Sequence, residues 1–170
     1  MRITLRDEPV LKSTVYALVC TVLMLFSYSF IPALKIFPAL PNLLVGAISM
    51  LALCEGVRYA SFFALIFSVI ETLMQDSNTL LFPLFYLAFA IVCTALFENV
   101  FVKNFFAWLC YTVAGLILHN LMQLISYSES WGISLSAVFT QTAVPAFVVS
   151  AVFSLPLYPI FKFIKKKTDK

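Results

Sequence analysis

FALIFSVIETLMQDSNT, residues 63–79, sets a carboxylate, Glu71, into an otherwise apolar run five positions before Asp76. What that carboxylate means depends on the medium around the segment, and composition decides the medium. Of 170 residues, 62% are hydrophobic and 11% charged, against ~45–50% and ~25% in ordinary soluble domains. A soluble core of this size cannot hide so much apolar surface, so the chain reads as an all-α integral membrane protein. Glu71 then needs a reason to stand inside a bilayer or at its edge.

Apolar runs of about 18 residues or more mark helices able to cross a membrane. Polar and proline-containing breaks divide the chain into six such spans, at 13–34, 40–56, 59–75, 80–97, 105–127 and 135–160, followed by a basic tail at 162–170. The loops between them are too short for a separate domain, which makes 1–170 a single six-helix membrane domain. The first span has no A-x-A-like site after it and is longer than a signal-peptide core, so it reads as a retained helix.

Loops rich in Lys and Arg stay cytoplasmic. With six spans and the N-terminus inside, the cytoplasmic side receives Arg2, Arg6, Lys12, Arg58, Lys103, Lys162, Lys165, Lys166, Lys167 and Lys170, and Lys35 alone lies outside. Both termini are therefore expected in the cytoplasm. The net charge of +3 reflects this sidedness and attraction to an anionic inner leaflet, and it does not suggest nucleic acid.

Chemistry-bearing motifs are scarce. Cys20, Cys54, Cys93 and Cys110 fall on four different spans without a C-x-x-C, the pattern of small packing residues and not of a zinc site or disulfide framework. One histidine, four glycines and no G-x-S-x-G, H-E-x-x-H or phosphate loop leave no enzyme signature, no metal and no cofactor to propose.

Helix faces carry more. At 100° per residue Ala60, Ala64, Phe67 and Ser68 fall within about 60° of Glu71, while Phe62, Leu65, Ile66, Val69 and Leu73 fall on the far side. Small residues spaced by four let membrane helices approach closely. Ala60, Ala64, Ser68 and Thr72 form one such ridge; Thr142, Ala146, Ser150 and Ser154 form a second on span six. Both suit packing within the bundle, and either could dock another protein.

Span five draws a polar or small stripe, Trp108, Thr112, Gly115, His119, Gln123 and Ser126, with Asn120 at its edge. That stripe is expected to face protein. Counting rise from the assigned ends puts Glu71, Gln123 and Gln141 at similar depth in the outer half, and Pro145 leaves the Gln141 carbonyl without its usual helical donor. The expectation is a buried polar cluster of Glu71, His119, Asn120, Gln123 and Gln141, since a lone carboxylate in hydrocarbon costs ~2.5–3.5 kcal/mol on insertion scales.

The run PNLLVGAISMLALCEGVRYASFFALIFSVIETLMQDSNTLLFPLFYLAF, residues 41–89, resembles the rod shape-determining protein family MreD: a Pro-Asn start to span two, a tight Gly-x-Arg turn, then a small-residue helix closing in an acid. VPAFVVSAVFSLPLYPIFKFIKKK, residues 144–167, looks like that family's last helix. The chain departs from the family in having Glu71 for Asp, Ala60, Ala64 and Ser68 for glycines, Asn120 for an acid and Ser150 for Asn. The resemblance implies a non-enzymatic scaffold of bacterial cell-wall elongation in the cytoplasmic membrane. Its implied partners are a single-span MreC-like protein, MreB filaments, and the RodA and penicillin-binding-protein synthases. An alternative is the substrate-binding S component of an energy-coupling-factor vitamin transporter, similar in fold. Against it, the A-x-x-x-A of such subunits reads Ala17 then Thr21 here, and the first outer loop, KIFPALP, is short.

Overall fold

The computed structural model describes residues 8–30, 41–74, 81–99, 104–131, 136 and 139–168. Arg2, Arg6, Lys35, Asp76, Lys103 and Lys170 lie outside the described residues, as do residues 132–134 and the side chains of residues 126–131 in the SYSESWGIS segment. All described elements are helical, and no strand occurs among them. They are α1 (Glu8–Leu25), α2 (Leu44–Glu55), α3 (Val57–Met74), α4 (Leu81–Asn99), α5 (Phe105–Trp131), α6 (Val144–Ser154) and α7 (Leu157–Thr168). One turn of π-helix, Phe26–Phe30, continues α1, and another, Phe139–Ala143, leads into α6.

Five helical stretches are long and apolar enough to cross a membrane, the last running from Phe139 to Thr168. The second expected span is different. α2 has 12 residues, about 18 Å of helix at 1.5 Å per residue, against a hydrocarbon core of about 30 Å. Eleven of the 12 are buried, so α2 is a short central pillar surrounded by protein, and of the six expected spans five are long and apolar enough to cross a membrane.

The chain ends of α2 explain its length. Gly56, at φ 83°, takes a left-handed conformation that other residues rarely adopt, turning the chain directly into α3. At the opposite end the Asn42 side chain supplies the cap that starts the helix, as described below.

The neighbours of α2 approach through small residues. A Cβ on Gly46 would stand 2.8 Å from Ser154 Oγ, and one on Gly115 would stand 2.7 Å from Val45 Cγ1 and 2.5 Å from Phe89 Cζ. Trp108 Nε1 donates to the Gly46 carbonyl at 3.4 Å, and Ser49 Oγ meets Thr112 Oγ1 at 2.8 Å. The first part of the α5 stripe, Trp108, Thr112 and Gly115, thus runs along α2. On α3, Ala60, Ala64, Phe67, Ser68 and Glu71 are buried, while Phe62, Leu65, Ile66, Val69 and Leu73 are exposed.

Span boundaries also move. α5 continues to Trp131, four residues past the expected end at 127. The last span is interrupted at residues 155–156, where Pro156 has no N–H to give the Val152 carbonyl; that carbonyl accepts from Leu155 N instead, at 3.2 Å. Such a lost bond breaks or bends a helix, and α7 then carries the chain on to Thr168.

The opposite end of the bundle is tied by charge. Lys12 Nζ lies 2.7 Å from Glu55 Oε2, Tyr16 OH donates to Glu55 Oε1 at 2.7 Å, and Lys165 Nζ donates to the Cys54 carbonyl. Tyr16 also stacks on Phe161 with ring centres 5.8 Å apart. These contacts fasten α1 and α7 to the C-terminal end of α2.

Candidate functional site

A helix that begins inside a membrane protein leaves backbone N–H groups with no water to bond. α2 begins that way, and Asn42 meets the need: its Oδ1 accepts from Leu44 N at 3.0 Å and Val45 N at 3.3 Å. With the oxygen committed to the cap, the amide nitrogen points into the bundle. It donates to Glu71 Oε1 at 2.9 Å and lies 2.9 Å from His119 Nε2 and 2.5 Å from Tyr86 OH. An amide carries two hydrogens. The carboxylate takes one, and Tyr86 and His119 compete for the other.

The remaining bonds close the hub. Tyr28 OH donates to Glu71 Oε1 at 2.8 Å, and the backbone N–H of Asn42 donates to Ser150 Oγ at 2.7 Å. Ser150 Oγ in turn donates to the Ala146 carbonyl at 2.6 Å. Asn42 and its immediate partners therefore draw on the π-turn after α1 and on α2, α3, α4, α5 and α6. Glu71 is 2% exposed and His119 1%, and the His119 ring sits among Phe82, Phe85 and Tyr86 of α4, with centres 5.6–6.1 Å away. His119 Nε2 is 4.0 Å from Glu71 Oε1, beyond hydrogen-bond distance, so Asn42 is the link between them.

The residues expected to cluster divide into two groups. Glu71 and His119 come together, through Asn42. Asn120 is buried, but its Nδ2 donates to the Leu116 carbonyl of its own helix at 2.8 Å. Gln123 is half-buried and Gln141 exposed, and among the described residues no hydrogen bond joins either to Glu71. Those two places are corrected. α5 runs on to Trp131, which puts Gln123 well inside its helix and not near the end. Gln141 sits in the π-turn before Pro145, whose ring cannot share the preceding carbonyl and opens the helix there.

Of the packing residues, Ala60, Ala64, Ser68, Ala146, Ser150 and Ser154 are buried, and Thr142 is half-buried. The three residues missed were Asn42, Tyr28 and Tyr86. Asn42 was visible only as the Pro-Asn pair opening span two; the tyrosines gave no signal apart from their hydroxyls in apolar runs.

A cavity of about 10 Å³ adjoins the hub, lined by Cys20, Ser27, Tyr28, Asn42, Leu43 and Glu71 among others. That is room for about one water molecule. Chemically the site can hold helices in register, through the bonds that Asn42 makes to Glu71 and Ser150 and that Tyr28 makes to Glu71. The chain matches no family model, no curated protein and no solved structure. The resemblance to the MreD family accordingly rests on the residues quoted above.

Proposed function

We propose that this protein is a non-enzymatic scaffold of the bacterial cell-wall elongation complex in the cytoplasmic membrane, acting in cell-shape determination. In this reading its helix faces and basic end hold an MreC-like single-span protein, MreB filaments and the RodA and penicillin-binding-protein synthases in register. One observation supports scaffold over transporter: around Asn42 and Glu71 the polar side chains leave a cavity of about 10 Å³, and the larger recess of about 290 Å³ between α5 and the π-turn before α6 is lined by apolar side chains apart from Asn120, without the several convergent polar groups that orient a vitamin-sized ligand.

The test is co-expression with a tagged MreC-like partner, followed by co-purification and mass spectrometry of small molecules released from the complex. Under the scaffold reading the partner co-purifies and no stoichiometric small ligand appears. A vitamin-like molecule retained at one per chain, with no partner, overturns it in favour of the S-component reading.

A further inference from the structure

The last helical stretch is longer than a bilayer needs. From Phe139 to Thr168 it has 30 residues, about 45 Å at 1.5 Å per residue, against about 30 Å of hydrocarbon. Counting from Phe139, roughly 20 residues fill the core. The part of α7 from Lys162 onward then stands at the level of the lipid headgroups.

What α7 presents there is specific. Leu157 and Phe161 are buried against the bundle, and Lys165 is tied to the Cys54 carbonyl, so the helix is anchored. Its outer side carries Ile160 and Phe163, 43% and 66% exposed, beside Lys162, Lys166 and Lys167. Lys162, Phe163, Lys165 and Lys166 together line a shallow recess open to the surroundings. Lys162 Nζ is held 4.7 Å above the Tyr158 ring, and Lys167 turns the other way, over the Phe163 ring at 5.9 Å.

We infer that this recess is a binding site for the headgroup of an anionic phospholipid. The exposed Lys162 and Lys166 ammonium groups face the phosphodiester, Lys165 stays on the Cys54 carbonyl and adds its charge from the bundle side, and Phe163 and Ile160 lie against the upper acyl chains. A helix with basic residues beside exposed aromatic and aliphatic ones is suited to the interface. Charge selects the ligand: a zwitterionic lipid brings its own cation to the same place. The site does not depend on the scaffold reading and goes beyond the general attraction of a basic end for the inner leaflet, because it distinguishes lysines that line the recess from one that does not.

The full chain in a neutral detergent is titrated with fluorescent phosphatidylglycerol, with phosphatidylcholine and inorganic phosphate as competitors. Phosphatidylglycerol is expected to bind, and neither competitor to displace it at equal concentration. A basic residue at an anionic surface strengthens binding about fivefold, so Lys166→Gln is expected to weaken it about fivefold and Lys166→Arg to restore it. Lys167→Gln, removing the same charge outside the recess, is expected to change it less than about twofold. Thermal unfolding of each variant verifies that the bundle is intact. Equal losses at Lys166 and Lys167 would mean diffuse attraction and overturn the site, as would displacement by phosphatidylcholine. Displacement by inorganic phosphate would reassign the recess to a free anion.

Discussion

Asn42 gives the carboxylate at position 71 its reason. The short central helix needs a cap inside the membrane, Asn42 supplies it with its oxygen, and the amide nitrogen then requires acceptors, of which Glu71 is the strongest. Glu71→Gln keeps an oxygen for Tyr28 and Asn42 and should leave the unfolding temperature in detergent close to that of the parent. Glu71→Leu leaves two buried donors unsatisfied, at about 1–3 kcal/mol each, and should lower it clearly. Asn42→Ala loses the cap as well, itself worth about 0.5–2 kcal/mol. Asn42→Asp keeps the cap but sets a second carboxylate in hydrogen-bond contact with Glu71, and should be at least as damaging. If Glu71→Gln is as unstable as Glu71→Leu, the charge and not the hydrogen bonding holds the hub, and this account of it fails.

At the level of elements, the inward faces of α3 and α6 are legible in the sequence and their depth is not. Ala60, Ala64 and Ser68 on α3, and Ala146, Ser150 and Ser154 on α6, recur at helical spacing, and that periodicity survives any error in where a helix ends. Depth does not. The sequence pattern puts Gln123 four residues from the end of span five at 127, but α5 continues to Trp131, so the residue lies eight positions in. α2 was legible as an apolar helix and illegible as a pillar, because a helix walled by protein and one walled by lipid are both apolar all round. The hub was hidden for another reason: Asn42 and Ser150 are 108 positions apart, and no local pattern pairs them. The packing can be tested at two residues. Ser150 is buried where α6 meets the start of α2, so Ser150→Leu should overpack that contact at about 1–3 kcal/mol and lose the acceptor for the Asn42 N–H. Val69, 46% exposed on α3, should accept Leu with almost no change in unfolding temperature. Equal destabilisation at both positions would show that the inner and outer faces have been misassigned.

For the molecule as a whole, the two ends of the bundle are chemically unlike. One end gathers the neutral and acidic hydrogen-bonding groups around Asn42; the other joins Lys12, Glu55 and Lys165 and extends into the lysines of α7. Positive charge resists translocation and stays on the cytoplasmic side, so the expectation from this polarity is an orientation with α7 inside and the hub in the outer half of the membrane. The expectation is open to direct test with single cysteines introduced in intact cells, after the exposed Cys110 has been changed to Ser; Cys20, Cys54 and Cys93 are buried. Ser130→Cys, in the last turn of α5, should react with a membrane-impermeant thiol reagent. Lys167→Cys should react only once the membrane is opened. The reverse pattern would turn the molecule over and put the α7 lysines outside. The proposed attachment of cytoplasmic filaments at the basic end would then be untenable, while the hydrogen-bonded hub, which depends on no sidedness, would stand.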